Sequence, residues 1–403
     1  MKKLRIAITG ATGLLGRNLL FEILKQNLSH LDSLEILVLG RPRKSASTED
    51  RFEDIVLHDG SYYLGFGPRL SDELIAQIKD CLKPISFDLS VDDLDISADD
   101  FKILKSEPID YFFHVAALTD FRSGKAIEQK LNEINVEGTK RICQLISALK
   151  VKEVIYIGSA YSCGVKEGNI EPDYINLEGE FRNPYEKSKL LGEIHFRQFA
   201  INNRLKYRIF RPSTISGRLL EAPIGATSKF DVFYGWAAFF LSQKAKNVSN
   251  NDLFEKFSKM PVRIWVNPDK GLNIVPADYA AKVLYLVCCQ NDVSRSFYLA
   301  NDLEALHKEY ISWMFDFLKI DGVKFVNQMP EGLNKLEQLY YKSVGRIFTP
   351  YIIADLQFDT SNLSDIKNKN ELFCPVINNE EFLKLLGYAR TCNFGIKIRG
   401  RTR

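Results

Sequence analysis

Tyr185 and Lys189 stand four residues apart in Asn183-Pro184-Tyr185-Glu186-Lys187-Ser188-Lys189. On a helix, residues at i and i+4 share one face. A phenol and an ammonium would then aim at one spot, a proton donor with its own electrostatic partner. Far upstream lies a glycine turn, Thr9-Gly10-Ala11-Thr12-Gly13-Leu14-Leu15-Gly16. It separates an apolar run, Leu4 to Thr9, from an amphipathic run, Gly13 to Leu28. Glycines at positions 10 and 13 let the backbone turn tightly and approach a pyrophosphate, and Gly16 lets helix and sheet pack closely. The helix start offers free N–H groups and the positive end of its dipole to a phosphate. Thr9, Gly10, Thr12, Gly13, Leu14, Leu15 and Gly16 are therefore the expected dinucleotide contacts.

The second apolar run, Leu34 to Leu39, ends in Gly40-Arg41-Pro42-Arg43-Lys44. An NAD site places a carboxylate here for the ribose diol. Guanidinium and ammonium groups suit a 2′-phosphate instead. Arg41 and Arg43 thus favour NADP(H) over NAD(H).

The elements that must position these groups alternate. Strand-like runs are expected at Leu4–Thr9, Leu34–Leu39, Ile85–Leu89, Tyr111–Ala116, Val154–Gly158 and Tyr207–Phe210. Helices are expected at Gly13–Leu28, Ser71–Leu82, Ala126–Leu149 and Tyr185–Asn202. Such alternation predicts an α/β fold, a Rossmann-like doubly wound parallel sheet. Residues 1–217 form its dinucleotide-binding domain, completed by about 266–300, where Ile274-Val275 or Ser296 to Leu299 adds a strand. Residues 218–265 carry many aromatics and read as a substrate or lid segment. Residues 301–403 read as a separate, mostly helical substrate region.

Composition narrows the class. Lys and Arg total 54 against 51 acidic residues, which argues against a dedicated nucleic-acid binder. The seven cysteines are odd in number and form no Cys-x-x-Cys, so a reducing, cytoplasmic setting without disulfides is expected. The five scattered histidines suggest no metal centre. The chain enters its first strand almost at once, so no signal peptide is expected, and no apolar run approaches the ~20 residues of a membrane span. Peripheral membrane contact is left open. The basic tail Lys397, Arg399, Arg401 and Arg403 reads as a solvated end.

Taken together, the glycine turn, His114-Val115-Ala116-Ala117, Ser159 and Tyr185-x-x-x-Lys189 resemble the extended short-chain dehydrogenase/reductases over roughly residues 1–300. Phe87-Asp88-Leu89-Ser90, Leu118-Thr119-Asp120-Phe121, Asn135-Val136-Glu137-Gly138-Thr139, Gly158-Ser159-Ala160-Tyr161, Arg211-Pro212-Ser213-Thr214 and Lys229-Phe230-Asp231 resemble the thioester reductase and fatty acyl-CoA reductase branch. Tyr351 to Leu363, with Phe358-Asp359-Thr360-Ser361-Asn362-Leu363, is faintly similar to the accessory domain of alcohol-forming reductases, and Arg43 to Pro84 follows no motif of the branch.

The resemblance implies NADPH-dependent reduction of an acyl thioester, carried on coenzyme A or a separate carrier protein, to aldehyde or alcohol. Tyr185 would donate the proton, Ser159 steady the carbonyl oxygen, Lys189 favour the phenolate, and Asn135 organise a proton relay. Asp88, Leu89, Ala116, Ala117, Pro212, Ser213 and Thr214 would join the cofactor contacts. His114 is expected to be a packed residue lining the cleft, and Cys163 has no evident base beside it. Two rival readings stay open: another extended reductase or epimerase acting on a nucleotide sugar or ketone, and a non-catalytic NADP-binding scaffold or sensor.

Overall fold

A computed structural model describes residues 3–43, 45–249, 252–290 and 295–396. Lys44 and the basic tail from Lys397 lie outside them. Seven strands form the central sheet: β1 (Leu4–Thr9), β2 (Leu34–Gly40), β3 (Leu82–Ser86), β4 (Ile109–His114), β5 (Val151–Ile157), β6 (Lys206–Pro212) and β7 (Ser296–Leu299). Their spatial order is 3-2-1-4-5-6-7, and every pairing is parallel.

The strand residues explain the layering. Side chains alternate between faces. Ile6, Ile8, Ile36 and Val38 enter one buried core with the helices Leu14–Gln26 and Ala277–Cys288. Ala7, Leu37 and Leu39 enter a second core with Ile142 and Phe196 from the opposite helices. Both faces are covered, so the strands read as continuous apolar runs.

Several boundaries differ from expectation. The third strand lies three residues earlier and contains Pro84, tolerable because β3 is a sheet edge. The long helix is broken by a π-helical turn, Asn132–Glu137, between Lys125–Leu131 and Gly138–Ser147. Of the two candidate final strands, Ser296–Leu299 joins the sheet, whereas Ile274–Pro276 pairs with Thr214–Ser216 outside it.

The C-terminal third is neither separate nor only helical. Ile320–Val326 pairs in parallel with Ser258–Trp265, and Leu356–Phe358 pairs with Gly168–Ile170. Residues 218–265 and the C-terminal third share one further core, in which Trp236 and Phe240 meet Tyr340, Phe240 meets Phe315 and Phe233 meets Phe382. The aromatic stretch is therefore mainly core: Phe233, Tyr234, Trp236 and Phe240 are buried. No helix among the described residues is long and apolar enough to cross a membrane.

Candidate active site

The strand order reverses between β1 and β4, and ligands of open α/β sheets bind outside the carboxyl ends of strands at such a point. A cleft of about 610 Å³ opens there. That is the size class of a cofactor site.

One wall is the glycine turn. Gly10 has φ +73°, and a Cβ added to it would lie 2.7 Å from the Ala116 backbone. A Cβ on Gly16 would lie 2.3 Å from the Gly10 carbonyl oxygen. Only hydrogen fits either place. Gly13 is the N-cap of the helix Leu14–Gln26 and brings no side-chain cap, so the first N–H groups stay available to an anion. Thr12, Leu14, Leu15, Asp88, Leu89, Ala116, Ala117, Pro212, Ser213 and Thr214 also line the cleft.

Thr9 does not. It is buried beneath the cleft, where its Oγ1 accepts from Val115 N at 3.1 Å and Ala116 N at 3.2 Å. It therefore shapes the wall from behind. His114 is also beneath the cleft, bonded through Nδ1 to Thr9 Oγ1 at 2.9 Å. Burial, helped by the Lys189 charge, pushes its pKa down to about 3, so it is a neutral packed residue.

At the end of β2, Arg41 lines the cleft and reaches Asp88 Oδ2 at 3.4 Å. Arg43 does not line it; its backbone bridges to Ala46. Arg51 instead donates to the Arg41 carbonyl oxygen. Burial, then the charges of Arg43, Arg41 and Arg17, hold the Arg51 guanidinium below its ordinary value. Arg51 escaped the sequence reading. Its signal was the capping box Ser47-x-x-Asp50, which starts the helix Thr48–Asp54 and brings Arg51 round.

The opposite wall carries the phenol. Asn183 caps the helix Pro184–Asn202, its side chain accepting from Glu186 N at 3.2 Å. The first two turns of this helix bring Tyr185 and Lys189 into the cleft, with Ser159 from the turn after β5. Burial raises the Tyr185 phenol, while hydrogen bonding to Ser159 and Thr119 pulls it back. Lys189 is buried, donates to the Ile157 carbonyl oxygen at 2.7 Å, and lies 5.2 Å from the Tyr156 ring centre. Burial lowers its pKa to about 8, opposed by Glu193. Glu193 is itself held ionised despite burial by Arg211, at 2.8 Å and 3.0 Å, and by Arg197.

Asn135 is not on the cleft. Its Oδ1 accepts from Leu118 N at 2.8 Å, and its Nδ2 donates to Leu118 O at 2.9 Å and to Ser188 Oγ at 3.0 Å. Both amide protons are thus engaged, and the side chain fixes the 117–119 loop against the Tyr185 helix. Through its side chain the residue thus positions the site. Cys163 is buried and its thiol is pushed up to about 12, chiefly by burial, so it is no nucleophile.

A small cavity of about 30 Å³ adjoins the cleft, sharing Phe121, Tyr161, Thr214 and Val232 with it. Phe233, Trp236, Leu272, Tyr310, Phe348, Tyr351 and Ile352 complete it. Tyr161 is tied to Thr214 Oγ1 at 2.6 Å. Phe348, Tyr351 and Ile352 come from the C-terminal third, where the signal in the sequence was the faint resemblance of Tyr351 to Leu363.

A family model described as Male sterility protein matches residues 8–284. The chain belongs to that family. Its place among the extended short-chain dehydrogenase/reductases, in the thioester reductase-like branch, follows. Two solved structures resemble it over 98% of its length and 92% of theirs: the terminal R domain from the myxalamid PKS-NRPS pathway (19% identity, TM-score 0.69) and a thiolation-reductase di-domain from an archaeal non-ribosomal peptide synthetase (18%, 0.66). The UDP-glucuronic acid 4-epimerase from Bacillus cereus, solved with UDP-glucuronic acid and NAD, covers 96% of this chain with 99% of its own at 14% identity and TM-score 0.61. At these identities the likeness is one of fold. No curated protein matches the sequence.

The buried ammonium gives a direct check. Lys189 should titrate with a midpoint near 8 in the cofactor-free protein, measured by NMR of labelled lysine side chains and assigned with Lys189→Arg. A midpoint at the ordinary 10.5 would contradict its burial.

Proposed function

We propose that this protein is an NADPH-dependent reductase of acyl thioesters, carried on coenzyme A or a carrier protein, that yields an aldehyde or an alcohol. The observation that carries the reading is the convergence of Tyr185, Ser159 and Lys189 in the same cleft as the glycine cradle, with an aromatic cavity beside them.

The residues present fit the cofactor. The tight backbone turn that Gly10 and Gly16 permit, and the uncapped helix start, suit a pyrophosphate. Arg41, backed by Arg51, suits a 2′-phosphate. When bound, the reduced nicotinamide supplies the hydride for the carbonyl carbon.

The chain's own groups handle the oxygen and the proton. Ser159 and Tyr185 donate to the carbonyl oxygen, and Tyr185 gives up its proton as that oxygen gains charge. Lys189 is mostly protonated at neutral pH, and its charge in a dry site stabilises the resulting phenolate. The product of the first addition is a hemithioacetal. Its C–S bond then breaks, the hydroxyl proton passes to sulfur, and aldehyde and free thiol leave. The same donors serve a second reduction to the alcohol.

Tyr185→Phe should lower NADPH-dependent turnover of acyl-CoA by about 10²–10⁴-fold while NADPH affinity stays within about twofold. Retained turnover sinks the mechanism. Arg41→Ala should raise the KM for NADPH about tenfold, the loss of one charge-assisted contact, and leave that for NADH unchanged. Equal effects on both cofactors sink the NADPH assignment.

A further inference from the structure

Tyr351 links the C-terminal third to the helix that carries Tyr185. Tyr351, in the helix Val344–Ile352, is buried. Its hydroxyl donates to Glu186 Oε1 at 2.6 Å and accepts from Asn183 Nδ2 at 2.6 Å. Glu186 is fully buried, directly follows Tyr185, and accepts from Arg182 N at 2.9 Å through its other oxygen. Asn183 is the cap of the same helix. One hydroxyl therefore bridges the cap and the first carboxylate of the helix that presents Tyr185. Burial pushes the Glu186 carboxyl up, and the bond from Tyr351 pulls it back.

The ring of Tyr351 has a second set of contacts. It walls the small aromatic cavity. It meets Phe121 edge-on at 5.7 Å, and Phe121 in turn lies 4.9 Å from the Tyr185 ring. At about 30 Å³ the cavity holds roughly two water-sized groups. A longer apolar chain seated wholly within it would displace a wall. Trp236 and Tyr310 are backed by the C-terminal core, through Tyr340 and Phe382. Tyr351 is the wall residue that also hydrogen-bonds to the helix of Tyr185.

We propose that Tyr351 is a positioning and specificity-determining residue: its ring restricts the cavity to a short acyl group, and its hydroxyl transmits the fit to the helix that holds Tyr185. The inference rests on the thioester reductase reading and names the substrate class for it, short-chain acyl thioesters over long-chain ones.

Two variants separate the two roles. Tyr351→Leu removes the ring, and should raise the ratio of kcat/KM for decanoyl-CoA over butyryl-CoA at least about tenfold. This ratio does not depend on how much of the variant is folded. Tyr351→Phe keeps the wall and removes the bridge. It should leave the ratio within about twofold and KM for butyryl-CoA unchanged, while kcat per bound NADPH falls about tenfold. An unchanged ratio in Tyr351→Leu, or an unchanged kcat in Tyr351→Phe, overturns the proposal. A wild-type protein that reduces no thioester would instead end the parent reading. The cavity's preference is then decided by binding of the non-reducible S-butyl and S-decyl thioethers of coenzyme A. Tryptophan fluorescence follows it, since Trp236 stands in the wall. The short thioether should bind more tightly to wild type, and Tyr351→Leu should reverse or erase that preference; equal preference in both proteins overturns it.

Discussion

Strands β1 and β4 run side by side and in parallel, yet the chain leaves them toward opposite halves of the sheet. Their carboxyl ends must therefore part, and the crevice between them is a consequence of topology before any side chain is chosen. What keeps that crevice open at the right width is one buried threonine and one glycine. Thr9 Oγ1 holds the main chain of Val115 and Ala116, while Gly10 passes within contact of Ala116. A side chain at position 10 would push the two strand ends apart.

The chemistry depends on burying charge next to this crevice. An unpaired ammonium in a dry interior is costly, and its pKa falls in response. Lys189 is kept in place by the Ile157 carbonyl and by Glu193 one turn on, and Glu193 is in turn neutralised by Arg211 and Arg197. The result is a lysine near 8, still charged at neutral pH, beside a phenol that burial alone would hold in its neutral form. His114, with no such support, stays neutral. Glu186 belongs to the same logic: burial pushes its carboxyl up, and its bonds to Tyr351 and Arg182 oppose that shift.

Much of this was legible in the sequence because it is local. The glycine turn, the apolar strands and the Tyr185 helix each have their signal within a few residues, and the structure places them close to expectation. Tyr185, Lys189 and Ser159 do meet in one cleft. Thr9, Arg43 and Asn135 do not line it, because a motif shows which residues are near a ligand and not which way they face. The pairings that tie the mostly helical C-terminal third to the rest went unread for a different reason. Ile320–Val326 is interrupted by Gly322 at φ +93° and a register shift, so its apolar alternation is broken, and its partner strand lies some sixty residues away in the chain. Tyr351 meets Glu186 across 165 residues. No local pattern encodes such a pairing.

The glycine cradle, the buried phenol and ammonium, and the aromatic cavity all bear on one claim, that a thioester carbonyl is reduced here. The direct measurement is to incubate the protein with butyryl-CoA and NADPH and follow reduced-nicotinamide absorbance and free thiol together. The account predicts that thiol appears in step with NADPH oxidation, at one equivalent of NADPH per thiol for an aldehyde product or two for an alcohol. Oxidation of NADPH without thiol release, or neither change, would contradict it.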